Sequence, residues 1–473
     1  MEIVGRKKEI SELKRLLNSG RPEFIAVTGR RRVGKTFLIR ELFAEETVFY
    51  FSGSLGKGVN NKYQLMKFDE ALSKTFIAKK GISKNWSDAF SSLEKQISRM
   101  EPERKVIFID ELPWLDNPKS DFLPALDYFW NTFVSSRTDI MLIICGSATS
   151  WIVKNIFHNK GGLHNRITAR VHLAPFTLGE TEELFKHLGV VMSRYQIAES
   201  YMIFGGIPYY LCMFSKELSL TQNVDKLVFA ELAPLRSEYH EVFASLYRSP
   251  ERHMTIIKAL SQKAAGLTRK EIIERTKIPS SGNLTQTLNE LHQCGFIEMY
   301  SDFTKTKKES YFRLIDPFTL FCIKYVNDYN GKDDYYWTNL LDDSGRRAWS
   351  GFTFEMICLK HLFQIKKALG ISGISTEVSS WRSRESKPGA QIDLLISRRD
   401  GIVNLCEIKF SLHPITLSAK DADVINNKKV AFIEETKIKS AVHVTLISTY
   451  GMEKKGYFSG IQSEVVLDDL FEM

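Results

Sequence analysis

Short apolar runs alternate with amphipathic stretches over the first third of the chain. Residues 24–28, 48–51, 106–110, 140–146 and 167–173 are brief, apolar and bounded by polar positions, which predicts strands, whereas 35–43 has helical spacing. Strands separated by helices predict a parallel sheet covered on both faces, the α/β core of a nucleotide-type domain over 1–177. From 178 to 247 strand signals fade and helical spacing dominates, opening with Glu180, Glu182 and Glu183 as an acidic first turn. Within 248–330 the order is helix (253–262), helix (269–275), helix (283–293) and a hairpin of 296–300 with 311–314, a winged-helix layout. The polar stretch 331–345 reads as a linker. Beyond it, 346–473 begins with a helix over 352–367 and continues strand-rich to its end.

Composition narrows the class. At 473 residues the chain is about three times a domain of roughly 100–200 residues, so several cores are expected. Its 43% hydrophobic and 26% charged residues exclude a disordered or fibrous protein. No apolar run approaches the roughly 18 residues of a membrane span, and the first residues lack a secretory signal, so the expectation is a cytoplasmic protein with no membrane partner. Six scattered cysteines form no C-x-x-C pair, which argues against a zinc knuckle or a disulfide framework. The balance of 65 Lys and Arg against 56 Asp and Glu gives +9, compatible with a polyanionic partner such as DNA and equally with a solubility role.

Candidate chemistry begins at Gly29-Arg30-Arg31-Arg32-Val33-Gly34-Lys35-Thr36, followed by Phe37, which fits G-x-x-x-x-G-K-[ST] directly after a strand and at the start of a helix. The glycines let backbone N–H groups and the helix N-terminus face phosphates. Lys35 is expected to neutralise the β and γ oxygens of ATP, and Thr36 to hold Mg²⁺. The strand 106–110 ends in Asp110 and Glu111, the first a candidate Mg²⁺ ligand and the second a candidate to orient the attacking water. Ser147, after the run 140–146, is either a γ-phosphate sensor or a plain strand-end turn. Arg166 and Arg170 flank the next strand as candidate arginine fingers, a role that needs a neighbouring subunit or a moving domain and so makes a homo-oligomer a candidate assembly.

These pieces, with Ile3-Val4-Gly5-Arg6, Gly146-Ser147 and Gly205-Gly206-Ile207-Pro208-Tyr209-Tyr210-Leu211, resemble prokaryotic AAA+ ATPases of the archaeal ATPase type over roughly 1–245. The resemblance implies an ATP-driven switch, places Val4 and Arg6 on the adenine side of the nucleotide, and makes Pro208 part of a nucleotide-facing helical lid spanning 178–247.

In the expected winged helix, Asn283, Gln286 and Asn289 could read adenine edges, yet helix 283–293 contains no Lys or Arg to contact phosphates. Lys305, Lys307 and Lys308 at the wing tip compensate in part, or form a plain solvated loop, and the favoured expectation is a domain that packs against the ATPase, with DNA contact as the alternative. Further on, 391–396 and 403–409 read as two strands joined by Arg398-Arg399-Asp400-Gly401, a strong hairpin signal. Strand alternation puts Glu407 and Lys409 on one face, and Asp393 on the neighbouring strand can join them. Glu355 falls within an apolar stripe of Phe352, Met356, Leu359 and Leu362, where an unpaired carboxylate is costly. Acids able to hold Mg²⁺ or Mn²⁺ beside a lysine suit metal-dependent phosphodiester cleavage. Glu355, Asp393 and Glu407-Ile408-Lys409 resemble the PD-(D/E)xK restriction-endonuclease-like superfamily, with Ile392 where a proline often precedes the aspartate. The resemblance implies metal ligands at Glu355, Asp393 and Glu407 and catalysis by Glu407 and Lys409. Two functions stay open: an ATP-regulated DNA-processing enzyme, and an ATP-dependent switch that binds DNA or a protein and cleaves nothing.

Overall fold

A computed structural model describes residues 2–56, 58–77, 81–117, 120–158, 162–163, 165–247, 249–303, 310–383, 390–453 and 460–473. The chain divides into two compact units, Met1–Pro175 and Phe176–Met473.

The first unit is a five-stranded sheet in the order β2-β3-β4-β1-β5, with β1 at Glu23–Gly29, β2 at Thr47–Ser52, β3 at Lys105–Asp110, β4 at Ile140–Cys145 and β5 at Ala169–Leu173. Every pair is parallel, as short apolar strands joined through helices require. The central strands β1, β3 and β4 are buried along their whole length because helices cover both faces. On one face, Phe49, Phe51, Phe68, Trp86, Phe90, Phe122 and Phe129 pack ring against ring, several edge to face. This apolar slab holds the carboxyl ends of β1, β3 and β4 at fixed spacing.

The second unit opens with helices Leu178–Leu188 and Arg194–Phe204, each started by a capping box, Thr177 with Glu180 and Ser193 with Gln196. Helices Glu251–Leu260, Arg269–Thr276 and Gly282–Gln293 follow, joined by a small antiparallel sheet in the order β6-β8-β7, with β6 at Leu267–Thr268, β7 at Ile297–Ser301 and β8 at Ser310–Leu314. The last part is a sheet ordered β13-β12-β11-β10-β9. Its strands are β9 (Thr376–Arg382), β10 (Gln391–Arg398), β11 (Ile402–Lys409), β12 (Ala441–Ser448) and β13 (Ser463–Val466). β9, β10 and β11 form an antiparallel meander, whereas β11, β12 and β13 run parallel, with helix Ala419–Thr436 crossing between β11 and β12. Trp381, Leu395, Leu405, Phe432 and Val442 make its core.

The small sheet runs on into the large one. Asp302 bridges Ser380 in parallel, the Phe303 N–H donates to the Ser380 carbonyl at 2.9 Å, and the Phe303 ring meets Phe432 at 5.0 Å. One position on the open edge of β9, Ser380, is thereby paired.

Three sequence expectations change. The stretch 331–345, read as a linker from its polarity, includes the fully buried Trp337 and the short helix Tyr336–Asn339. Asp225 accepts from the Trp337 N–H at 2.7 Å and from the Thr338 hydroxyl at 2.5 Å, which ties the segment into the fold. The single helix expected over 352–367 is two, Ser344–Lys360 and Leu362–Ala368, broken at His361. Its buried stripe is Phe354, Met356, Ile357 and Cys358, while Phe352, Leu359 and Leu362 are half-buried, because the helix meets its neighbours one position away from the expected face. Lys305, Lys307 and Lys308 lie outside the described residues.

Candidate functional site

The phosphate loop sits at the carboxyl end of β1, where helix Lys35–Leu42 begins. Gly29 (φ 145°) and Gly34 (φ 88°) hold backbone conformations that L side chains rarely adopt, and a Cβ on Gly29 would stand 2.3 Å from the Leu173 carbonyl oxygen. The Lys35 ammonium donates to the Gly29 carbonyl at 2.9 Å and the Arg30 carbonyl at 3.0 Å, so it already lies inside the curl of the loop. Thr36 Oγ1 donates to Asp110 Oδ2 at 2.5 Å and so joins the loop to the end of β3. This hydroxyl and carboxylate are hard oxygen donors of the kind that hold Mg²⁺.

Glu111 follows with a left-handed backbone (φ 47°) and donates its N–H to Asp110 Oδ1 at 2.8 Å. Its Oε2 accepts from the Ser147 hydroxyl at 2.9 Å and from the Ser147 N–H at 3.3 Å. The carboxylate is therefore held at the end of β4. Thr149, which the sequence did not single out, accepts from the Gly29 N–H at 3.3 Å; standing two residues beyond Ser147 was its one signal.

Arg6 is buried and donates to the Val33 carbonyl at 3.2 Å, bracing the loop from below, with Val4 half-buried nearby in sequence. The His172 imidazole, 3.1 Å from Thr28 Oγ1, is held below its ordinary pKa by burial and by the charges of Lys35 and Arg6. Phe37 is exposed, Arg31 and Arg32 are half-buried, and Arg30 and Val33 are buried. Arg166 is exposed, and Arg170 lies over the Phe157 ring at 4.0 Å within the same unit. Pro208 belongs to the second unit, where it starts the short helix Pro208–Leu211.

The C-terminal carboxylates gather where β10, β11 and helix Ser344–Lys360 meet. Leu394 pairs with Cys406, so continuing the register sets Asp393 opposite Glu407 on one face. Burial, then the charges of Asp393 and Glu407, push the Glu355 carboxyl up to about 8, against the opposing charges of Arg313 and Lys428. Asp393 accepts from the Gln391 amide. Glu407 is bound by Lys428 at 2.7 Å, and Lys409 stands 3.7 Å from Asp421. Both partners come from helix Ala419–Thr436, and nothing in the sequence pairs them with the strand. Among the described residues no three His, Cys, Asp or Glu side chains stand in metal-holding proximity. Asp393 and Glu407 thus act on Glu355 through their charge, and one cation, Lys428, sits on Glu407.

Asn283, Gln286 and Asn289 are exposed on helix Gly282–Gln293, with the Gln286 amide donating to Glu290 at 2.7 Å. No described helix is long and apolar enough to cross a membrane.

Residues 3–214 match the model of an ATPase domain predominantly from Archaea. The uncharacterized protein MJECL04 of Methanocaldococcus jannaschii is 25% identical over 431 residues, spanning 89% of each chain. Among solved structures, a Walker-type ATPase of Pyrococcus abyssi is similar with a TM-score of 0.50 at 17% identity, over 68% of this chain and 96% of that one. The ORC2 protein of Aeropyrum pernix, in its ADPNP-ADP complexes, gives a TM-score of 0.41 at 13% identity, over 68% and 93%.

Proposed function

From the premise that residues 3–214 form an ATPase domain of the archaeal ATPase family, which takes ATP with Mg²⁺, we infer that this chain hydrolyses ATP to control a C-terminal domain acting on DNA phosphodiesters. One observation carries the ATPase half: the 2.5 Å hydrogen bond from Thr36 to Asp110, which sets the phosphate loop against the acidic end of β3. Lys35 leaves its loop carbonyls to meet the β and γ oxygens, and the N–H groups of 29–36 cradle the phosphates. Thr36 and Asp110 would hold Mg²⁺, which would supply positive charge for the phosphoryl group in transfer. Glu111 orients the attacking water once Ser147 releases it to sense the γ-phosphate. Val4 and Arg6 support the adenine side, Pro208 belongs to a helical lid, and Arg166 or Arg170 reaches a neighbouring copy.

We read the three helices and small sheet of the second unit as a winged helix and the β9–β13 region as a restriction-endonuclease-like fold, a reading supported by the antiparallel meander followed by a helical crossover. Its carboxylates, Glu355, Asp393 and Glu407, are candidate holders of Mg²⁺ or Mn²⁺, which when bound activates water and shields the phosphate. Lys409 then positions the nucleophile. A second reading, an ATP-dependent switch without cleavage, is favoured by Lys428 occupying Glu407 and by Lys409 turning to Asp421.

Labelled single- and double-stranded DNA, incubated with Mg²⁺ or Mn²⁺ and with or without ATP, separates the two. Cleavage by the wild type, lost in Lys409→Ala and gated in Lys35→Ala, supports the first reading. Intact DNA in every lane with ATP hydrolysis preserved supports the second.

A further inference from the structure

In the second unit, a cleft of about 330 Å³ opens between the segment leading into helix Glu238–Leu246 and the chain that follows the small sheet. Arg236 and His240 line one side, and Asn327, Tyr329, Asn330 and Gly331 line the other. Its size lies at the small end of ligand sites, enough for a phosphate group with the sugar that bears it.

The lining is one-sided in its chemistry. Arg236 Nη2 donates to the Phe229 and Ala230 carbonyls, the latter at 2.7 Å, and the guanidinium lies 5.4 Å over the Tyr329 ring, so the side chain is pinned. Its Nε is buried and has no protein partner among the described residues. Nη1 is the guanidinium nitrogen on the side of the cleft, 3.9 Å from where a Cβ on Gly331 would stand. Asn330 Oδ1 accepts from the Lys332 N–H at 3.1 Å, which leaves the side-chain NH₂ as a donor. Asn327 and His240 add side chains able to donate.

Among the described residues no carboxylate lines the cleft. Asp328, between Asn327 and Tyr329, is exposed and stands outside the lining, and three other acids in the adjoining segments are engaged elsewhere. Glu238 accepts from the Tyr210 hydroxyl at 3.0 Å, Glu241 from Ser237 at 2.5 Å, and Asp333 from the Tyr335 N–H and the Asn339 amide, each at 3.0 Å. A pinned arginine with a donor to spare, amide donors beside it and no acid in the lining is the recognition chemistry of a tetrahedral oxyanion.

We propose that this cleft is a phosphate-binding site, separate from the phosphate loop and from the C-terminal carboxylates. The phosphate group comes either from a nucleic-acid backbone or from a free phosphate, and both offer the same oxygens to Arg236. The proposal does not depend on whether the C-terminal domain cleaves anything.

The test uses the full chain saturated with a non-hydrolysable ATP analogue, so that the phosphate loop is filled. Binding of a labelled DNA oligonucleotide is followed by anisotropy over a salt series, and binding of inorganic phosphate by calorimetry, for wild type, Arg236→Ala, Arg236→Lys and Asn330→Asp. Loss of one charge-assisted phosphate contact predicts roughly tenfold weaker binding in Arg236→Ala. Arg236→Lys restores only part of it, because the ammonium lacks the planar fork. If DNA is the source, the salt slope also falls by about one in Arg236→Ala. If the source is free phosphate, phosphate binding is lost while DNA binding is unchanged. Asn330→Asp leaves the Arg236 anchors untouched and puts an acid at the rim, so it lowers binding without lowering Tm, and it decides the matter if Arg236→Ala fails to fold. Wild-type-like binding of both probes in Asn330→Asp and the Arg236 variants, or no binding of either by the wild type, overturns the proposal.

Discussion

Glu111 shows what a single residue carries at the nucleotide site. Its left-handed backbone is disfavoured for a residue with a side chain, and two hydrogen bonds from Ser147 fix the carboxylate at the end of β4. Glu111→Gln is expected to bind ATP while hydrolysis falls by about 10²-fold or more, as removal of a water-orienting group does; a phosphate-release assay beside nucleotide binding reads both. Gly29→Ala would drive a Cβ onto the Leu173 carbonyl and is expected to destabilise the first unit by about 2 kcal/mol or more, read from the urea midpoint. Glu355 adds a pH signature. Its carboxyl is raised from 4.5 to about 8, so the folded state holds a proton that the unfolded chain releases, and stability falls as pH rises between those values. In chelator, Tm is expected to decline over that range, and Glu355→Gln to flatten the decline; an unchanged slope in the variant would assign it to another group.

At the scale of elements, His361 decides where the long helix ends. Its Nδ1–H donates to the Ile357 carbonyl at 2.7 Å, and Nε2 accepts the Leu178 N–H at 2.9 Å, so one neutral ring stops helix Ser344–Lys360 and caps the start of helix Leu178–Leu188. Burial, with the Lys360 charge opposing protonation, pushes the ring down to about 4, so its contribution is complete above 6.5 and is lost as pH falls toward 4. His361→Ala leaves a buried N–H unpaired and is expected to cost about 1–3 kcal/mol, checked by chemical denaturation at neutral pH. The segment 331–345 teaches a related lesson: polarity alone hides an anchor when one tryptophan is held by one buried carboxylate, here Trp337 by Asp225.

At the scale of the molecule, the second unit is stitched together by contacts far apart in sequence. Tyr195 stacks on Phe410 at 5.1 Å, one residue past Lys409, and Phe410 meets Phe354, one residue before Glu355, at 5.2 Å. Arg346 pairs with Glu199 at 3.7 Å, and Phe303 enters the core beside Phe432. Residues 346–473 expressed alone would expose the edge of β9 and lose these contacts, so the fragment is expected to aggregate or melt well below the full chain. A fragment of 176–473 is expected to restore a cooperative transition, with circular dichroism and light scattering as the readouts.

The parallel sheet, the phosphate loop and the hairpin of β10 with β11 were all legible in the sequence, because each is written in local rules: apolar runs, glycine spacing and an Asp-Gly turn. Chemistry that needs neighbours was not legible. That Ser147 holds Glu111, that Lys428 sits on Glu407, that Phe303 pairs with Ser380 on β9 and that a cleft gathers around Arg236 are facts of distance between residues up to 95 positions apart, as Arg236 and Gly331 are. Local propensity sets which elements form, and burial then selects which polar groups must face one another, so the identity of a site's second partners belongs to the tertiary structure alone.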